Sequence, residues 1–221
     1  MNYFYAHLLQ FQLFQGMSRG ELLQLAGNTR FSFQKEQAGK AILHDGDDCR
    51  QLLFLIKGQI VIDTPSDDHT YHVTEWLSAP WLVQPEALFG LSPRYTLTAR
   101  AHTDAQFISL SKDEVLRLLD HFLIVRLNLL NLLATQAQRR SRQAWRRAPA
   151  TLEERITRFL TLHAVHPAGP KEVHILMKQL ATEVSDTRLN VSRTLAGMQR
   201  RGLLQLHRGR ISIPMLEHLF V

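Results

Sequence analysis

Arg188, Asn190 and Arg193 fall within six consecutive positions, in the run Thr187-Arg188-Leu189-Asn190-Val191-Ser192-Arg193. A guanidinium can donate two parallel hydrogen bonds to the O6 and N7 of guanine, and a carboxamide can bond adenine in a similar two-point way. Both need a carrier that fits a major groove, and an α-helix does. The neighbouring residues supply one. Val191 and Leu195 sit four apart and give this helix a buried face; Leu180, Ala181 and Val184 do the same for a helix just before it. Ser185-Asp186 makes the turn between them. Thr187 is placed to cap the second helix by accepting a bond from a free amide of its first turn. Arg188, Leu189, Asn190, Ser192 and Arg193 then face outward, and Lys178 adds a cation on the first helix. This is the pattern of a helix-turn-helix that reads DNA. An ordinary amphipathic pair with a solvated basic face is the competing reading.

The residues C-terminal to this helix favour DNA reading. Arg200-Arg201-Gly202 ends the helix, and Leu203-Leu204-Gln205-Leu206-His207 and Ile211-Ser212-Ile213 alternate like strands across Arg208-Gly209-Arg210. A hairpin with a basic turn is a wing, and Arg208 and Arg210 at its tip can reach phosphate. The charge is distributed to match. The 221 residues carry a formal net charge of +6. From Arg139 onward there are fifteen Lys+Arg against six Asp+Glu, a net of +9, which leaves the first 138 residues at −3. A basic C-terminal part on a mildly acidic one is the footprint of a nucleic-acid module joined to something else.

Composition excludes several classes. With 45% apolar and 21% charged residues the chain is of ordinary globular type, long enough for two cores. A single cysteine, Cys49, forms no internal disulfide and cannot supply a four-cysteine zinc or iron–sulfur site. It follows the acidic Asp45-Gly46-Asp47-Asp48, a setting that disfavours thiolate. Met1-Asn2-Tyr3-Phe4 lacks the basic start of a signal peptide, and the apolar stretch from His121 to Ala134 is broken by Arg126, Asn128 and Asn131. The expectation is a cytoplasmic protein with no membrane partner.

The elements that position the reading helix come earlier in the chain. Ser18 with Glu21, Ser111 with Glu114 and Thr151 with Glu154 have capping-box spacing. The first opens a short helix through Ala26, with Met17 and Leu22 as its staple. From Arg30 to Leu110 short alternating runs, such as Leu52–Ile56, Gln59–Ile62 and Phe107–Leu110, are separated by Gly39, Asp45–Asp47, Lys57-Gly58 and Pro65–Asp68, as in an antiparallel jelly roll or barrel. The second box opens one long helix to about Arg147. On it Leu127, Leu130, Ala134, Ala137, Ser141 and Ala144 recur at spacings of three and four, a seam for a parallel homodimer; a core-facing stripe is the competitor. A dimer would present two recognition helices one DNA turn apart. Pro149 breaks the chain at a hinge over Arg147–Ala150, and a helix from Leu152 to about Val165 ends at Pro167-Ala168-Gly169-Pro170. The whole reads as an α+β chain: a β-roll (jelly roll) over 1–112, a long dimerisation helix over 113–147 and a winged helix-turn-helix over 148–221.

In this order of elements the chain resembles the superfamily of the cyclic-AMP receptor protein and the fumarate–nitrate regulator, along nearly its full length. Leu13–Met17 resembles the opening motif, Phe54-Leu55-Ile56-Lys57-Gly58-Gln59-Ile60 the strand–Gly–strand segment, and Arg155-Ile156 the start of the helix after the hinge. Thr187-Arg188 and Val191-Ser192-Arg193 match the recognition-helix pattern. The resemblance implies a dimeric, effector-responsive transcription regulator, with Arg188 and Arg193 on base or phosphate, double-stranded DNA as partner and RNA polymerase as a further one left open. Where the family often has Glu between the two Arg, this chain has Leu189, which can touch only a thymine methyl, so a different operator is expected.

The effector cassette departs further. Cyclic-nucleotide binders of the family carry Gly-Glu and then Arg-Ser/Thr-Ala; here Val83-Gln84-Pro85-Glu86 is followed by Arg94-Tyr95-Thr96. Glu86 keeps its place, but Pro85 has no amide to donate. Aligned on Arg100-Ala101, the phosphate Arg falls on Tyr95, with Arg94 one residue out of register, and the base-reading position falls near Arg140 and Ser141. The expected effector pocket is therefore Glu86, Arg94, Tyr95, Thr96, Arg140 and Ser141. A cyclic nucleotide is disfavoured, and haem or another small-molecule effector is left open. Eleven His supply candidate ligands, among them His44, His69, His72, His102 and His121, but His69 and His72 on a strand would face opposite ways. No metal site, nucleophile motif or phosphate loop is apparent, so an enzyme is not expected. The alternatives are a constitutive DNA binder with an idle pocket and, further off, a metal-dependent β-roll enzyme.

Overall fold

The structure, a computed structural model, describes residues 6–220, without the side chains of Ala144 and Phe220. Met1–Phe4 and the Ala144 side chain thus lie outside the described residues. The strands are β1 (Ser32–Glu36), β2 (Ala41–Leu43), β3 (Gln51–Lys57), β4 (Gln59–Pro65), β5 (His72–Ser78), β6 (Trp81–Val83), β7 (Thr98–Ala101), β8 (Ala105–Ser111), β9 (Lys171–His174), β10 (Gln205–His207) and β11 (Arg210–Ile213). The α-helices are α1 (Arg19–Asn28), α2 (Lys112–His121), α3 (Leu123–Ala144), α4 (Leu152–Leu162), α5 (Met177–Glu183) and α6 (Arg188–Arg200). The fold is α+β: a β-roll, a long helix and a winged helix-turn-helix. No single described helix is long and apolar enough to cross a membrane.

Two compact units emerge. The first holds Met1–Gln59, Ser78–Tyr95 and Ala101–Arg146; the second holds Ile60–Leu77, Thr96–Arg100 and Arg147–Val221. This partition does not follow the order of the chain, because β4, β5 and most of β7 group with the C-terminal residues.

In the first unit β1, β8, β3 and β6 lie side by side, with antiparallel registers such as Phe54↔Ile108 and Leu53↔Val83. Phe54 is fully buried and meets Phe11 edge-on at 5.0 Å and Phe14 at 5.6 Å between ring centroids. Gly58 follows β3 with φ +90°, and a Cβ there would stand 2.4 Å from the Asp104 carbonyl oxygen. Close approach and a left-handed backbone together explain the glycine in the strand–Gly–strand motif. Ser18 and Glu21 form the expected reciprocal cap at 2.7 and 3.3 Å.

The single long helix expected after Ser111 is instead two, bent by 117° at Phe122. The expectation overlooked a stop signal. Phe122 is extended and buried, and the Arg126 guanidinium donates to the Leu119 and Asp120 carbonyls that α2 leaves free. Ser111 accepts the Glu114 amide as expected, but the Glu114 carboxylate pairs with Arg117, so that box is half-formed. Along α3, Val125 and Leu129 are buried, whereas Leu127, Leu130, Ala134, Ala137 and Ser141 form an exposed line.

In the second unit the strands run β10-β11-β9-β5-β4-β7. Here the β-roll strand β5 pairs antiparallel with β9, the outer strand of the wing sheet, in the register His72↔His174, Val73↔Val173, Thr74↔Glu172 and Glu75↔Lys171. His69 is not in a strand as expected: it sits at φ +55° in a turn held by Ser66 and Asp68. One apolar core gathers Tyr71 and Val73 with Ile156, Phe159, Leu160, Val173, Leu180, Val191 and Leu195.

Candidate DNA-reading face and sensor cassette

The reading face is built from the turn outward. Leu180, Ala181 and Val184 are buried, as are Val191, Leu195 and Met198, so α5 and α6 meet along the spacing expected. Ser185 takes φ +51° and Thr187 caps α6, its hydroxyl accepting the Asn190 amide at 3.2 Å. Arg188, Leu189, Asn190, Ser192 and Arg193 are all exposed, and so are Lys178 and Arg208. Leu189 is 58% exposed, a large apolar side chain on a face otherwise polar.

Arg155 and Asp186 fix this turn through bonds that the sequence pattern did not specify. The Arg155 guanidinium donates to the Val184 and Ser185 carbonyls at 2.7 and 2.9 Å and to Asp186 Oδ2 at 2.6 Å. Asp186 Oδ1 accepts the Thr187 amide at 2.8 Å and the Asn190 side-chain amide at 2.9 Å. Those two bonds, the Asn190 one foremost, hold the Asp186 carboxyl below the usual carboxylate range, with Arg155 adding to them. Asp186 thus ties α4, through Arg155, to the first turn of α6. The signal was present in the motif Arg155-Ile156 but pointed to no partner.

The wing hairpin forms, but its first strand begins only at Gln205 and Arg210 lies in β11 rather than in the turn: Leu206↔Ile211 and His207↔Arg210 are in register, and Gly209 takes φ +71° in a two-residue turn. The two wing Arg differ. Arg208 is exposed, but Arg210 leans along the sheet to Glu172 of β9 at 3.5 Å.

The cassette of the first unit is arranged differently from the expectation. Of the expected pocket residues, Glu86 and Arg140 are brought together, at 3.7 Å. The second Glu86 oxygen, Oε2, is buried without a hydrogen-bond partner among the described residues. Arg94 turns to the Gly46 carbonyl at 2.7 Å and to Asp48 at 3.3 Å. Arg50, bonded to Asp48 at 2.8 Å, and Arg94 hold the Asp48 carboxyl low. Tyr95 is buried and donates to the Gln51 carbonyl at 3.3 Å, and burial drives its phenol pKa far up. Burial also raises the Cys49 thiol, so it is protonated chiefly by burial rather than by its acidic neighbours. Thr96 and Ser141 are exposed. Among the described residues no group of three His, Cys, Asp or Glu could hold a metal ion.

Residues 33–122 match the cyclic nucleotide-binding domain family, and residues 154–220 match the Crp-like helix-turn-helix domain family. Together they span the β-roll, the start of the long helical tract and the reader. The chain belongs to the Crp/FNR superfamily. That is a superfamily of DNA-binding transcription regulators, not of enzymes. Solved structures share the fold. The catabolite activator protein of Thermus thermophilus matches with TM-score 0.55 and 21% identity over 95% of this chain and 97% of its own. The c-di-GMP responsive global regulator CLP of Xanthomonas campestris gives TM-score 0.51 and 19% identity over 89% and 99%. The sensor domain of the transcriptional regulator DNR from Pseudomonas aeruginosa gives TM-score 0.53 and 21% identity over 63% and 91%. No curated protein matches this chain in sequence.

Proposed function

We propose that this Crp/FNR protein is a homodimeric regulator that reads a pseudo-palindromic operator with α6 and the wing, under control of the β-roll. The functional parts are those read along the chain: an effector domain over 1–112, a dimer helix over 113–147 and a reader over 148–221. The observation that carries the reading is the face of α6, where Arg188 and Arg193 have no hydrogen-bond or ion-pair partner among the described residues, on a helix pinned by Thr187, Asp186 and Arg155. Arg188 and Arg193 serve as base or phosphate contacts; Thr187, Ser192, Lys178 and Arg208 serve the backbone. Asn190, already bonded to Asp186, offers adenine its carbonyl oxygen more readily than its full amide edge. Arg210 serves less than Arg208, because Glu172 holds it.

The exposed α3 line supports the dimer. Leu123, Leu127 and Leu130 are 62%, 46% and 56% exposed, and they continue into Ala134, Ala137 and Ser141. An apolar stripe of this spacing on a long helix is a coiled-coil seam awaiting its copy. RNA polymerase is the further partner this reading leaves open, and a cytoplasmic location goes with it.

Selection of bound sequences from a random duplex pool tests the reader. Arg188→Ala or Arg193→Ala should lower affinity by about 1–3 kcal/mol and relax one base pair per half-site. An unchanged consensus would remove α6 from the groove.

A second reading is favoured by the cassette. Pro85 offers no amide, Arg94 is engaged by Asp48 and Gly46, and Arg140 already sits beside Glu86. Such a pocket does not hold a cyclic phosphate and fits constitutive DNA binding. Thermal unfolding with cyclic AMP, cyclic GMP and haem, the last with and without carbon monoxide, separates the two. A ligand at a hundred times its Kd adds about 2.7 kcal/mol. A shift with haem alone would make the β-roll a gas sensor, and a shift with a cyclic nucleotide would overturn our account of Pro85 and Arg94.

A further inference from the structure

Glu75 and Lys171 are the feature of this chain that DNA reading does not by itself require. Glu75 of β5 is 0% exposed and Lys171 of β9 is 2% exposed. They stand opposite each other in register, with Nζ 3.0 Å from Glu75 Oε2. Glu75 also accepts the Val165 and His166 amides at 2.6 and 3.0 Å, and Lys171 donates to the Ala168 carbonyl at 2.8 Å. A β-roll carboxylate therefore saturates the loop that follows α4. Two charges withdrawn from water in this way are tolerated only where pairing and hydrogen bonding are nearly complete.

The pair is one part of a longer seam. The Tyr71 hydroxyl meets His163 Nε2 at 3.1 Å, while His163 Nδ1 lies 2.8 Å from the Phe159 carbonyl; Nδ1 thus carries the proton and Nε2 accepts from tyrosine. His72 and His174 stack at 4.3 Å, and Gln179 of α5 donates to the Thr70 carbonyl at 3.2 Å. Tyr71 and Val73 belong to the same core as Val191 and Leu195 of the reading helix. Without β5 the wing sheet would end at β9, an edge strand with open amides and carbonyls.

We infer that β5 is a member of the DNA-binding module, and that Glu75 and Lys171 are positioning residues that hold α6 through it. The reader then changes its placement only by opening a four-pair ladder, a shared core and a buried ion pair together. In sequence, Glu86 follows Glu75 by eleven residues, with β6 between them. The consequence for operator reading rests on the function proposed above; the seam itself does not.

Hydrogen exchange on the full chain tests it. Amides of β5, β9, α4 and α6 should be protected as one cooperative unit. Lys171→Met, which strands the Glu75 charge, should speed exchange about tenfold or more in all four, and leave β3 and β8 as they were. Glu75→Gln with Lys171→Met should return exchange toward the parent rate. Acceleration confined to β9, with β5 unchanged, overturns the inference, as does a double variant no better than the single. If the single variant does not fold, the double variant decides alone: a folded protein with parent-like protection of β5 upholds the shared module, and loss of β5 protection overturns it. Binding to a random-sequence duplex at low salt is the parallel readout, with Arg193→Ala as control. Indifference of Arg193→Ala would sink the DNA reading while the exchange pattern still judges the seam.

Discussion

Arg188 and Arg193 on α6 have no hydrogen-bond or ion-pair partner among the described residues, whereas Arg94 in the cassette is bound to the Gly46 carbonyl and the Asp48 carboxylate. The side chains are the same, and both regions have a matching family fold. What differs is the supply of carboxylates. The run from Thr187 to Leu195 contains no acid, and the nearest, Asp186, is taken by Arg155, Thr187 and Asn190. The loop facing Arg94 contains Asp45, Asp47 and Asp48. A cation is available to a ligand where its own chain has nothing closer to offer. The reader meets that condition and the cassette does not. The seam is the extreme of the inward case, with charge placed where no ligand can reach it.

The sharpest way to break this contrast is to remove a charge of each kind and measure folding. Lys171→Met leaves Glu75 buried and unpaired, and should cost about 3–5 kcal/mol in urea unfolding. Arg193→Ala should stay within about 0.5 kcal/mol of the parent. Comparable costs would mean that the inward and outward charges are not distinct classes. A second large effect belongs to the β-roll. Gly58→Ala forces a left-handed backbone on a residue with a Cβ, worth about 1–3 kcal/mol, and the approach of the Asp104 carbonyl adds to it. A smaller result would show that the hairpin at the family's glycine relaxes.

How much of this could be read in the residue order follows the same division. Thr187, Arg188 and Arg193 were legible because local rules place them: a cap and a 3.6-residue period. The exposed line of α3 was legible for the same reason, although the bend at Phe122 was hidden by an apolar run that continues through it. β9 was missed because its buried positions are Lys171 and Val173, and a lysine at a core position erases the alternation that marks a strand. β5 shows the same masking, with Thr74 and Glu75 buried beside Val73. Polar residues that are buried because a distant strand satisfies them leave no local signal. The cassette failed for the converse reason: Arg94 and Tyr95 were placed by alignment on a ligand, and their partners Asp48 and Gln51 lie more than forty positions away.

The availability of Arg can be tested directly by comparing the two regions on DNA and on stability. Arg94→Ala removes an exposed pair with Asp48, so folding should change by no more than about 1 kcal/mol, and duplex binding should not change. Arg193→Ala should show the reverse, with lower duplex affinity, a shallower salt dependence and unchanged folding. Loss of duplex binding on Arg94→Ala would move the nucleic-acid surface onto the β-roll and end the contrast.

The smallest expected effect is on pH, and it separates the seam from the reading face by window. Burial lowers the His174 pKa, the facing His72 lowers it further and Arg210 adds slightly, while Glu172 and Asp63 oppose them. The unfolded chain keeps an ordinary histidine value near 6.5. As pH falls through that value the unfolded state takes up the proton first, so stability is lost from about pH 6.5 downward. Asp186 behaves in the opposite range: its carboxyl is held low by Asn190 and Thr187, so its contribution is full at neutral pH and is lost only in acid, below the ordinary aspartate value. Urea midpoints measured at intervals between pH 7.5 and about 3 should therefore decline gently from about pH 6.5, and His174→Gln should flatten that part of the decline while leaving the acid limb. A decline that survives His174→Gln would place the titrating group outside the seam, and the stacked His72–His174 pair would then be packing alone.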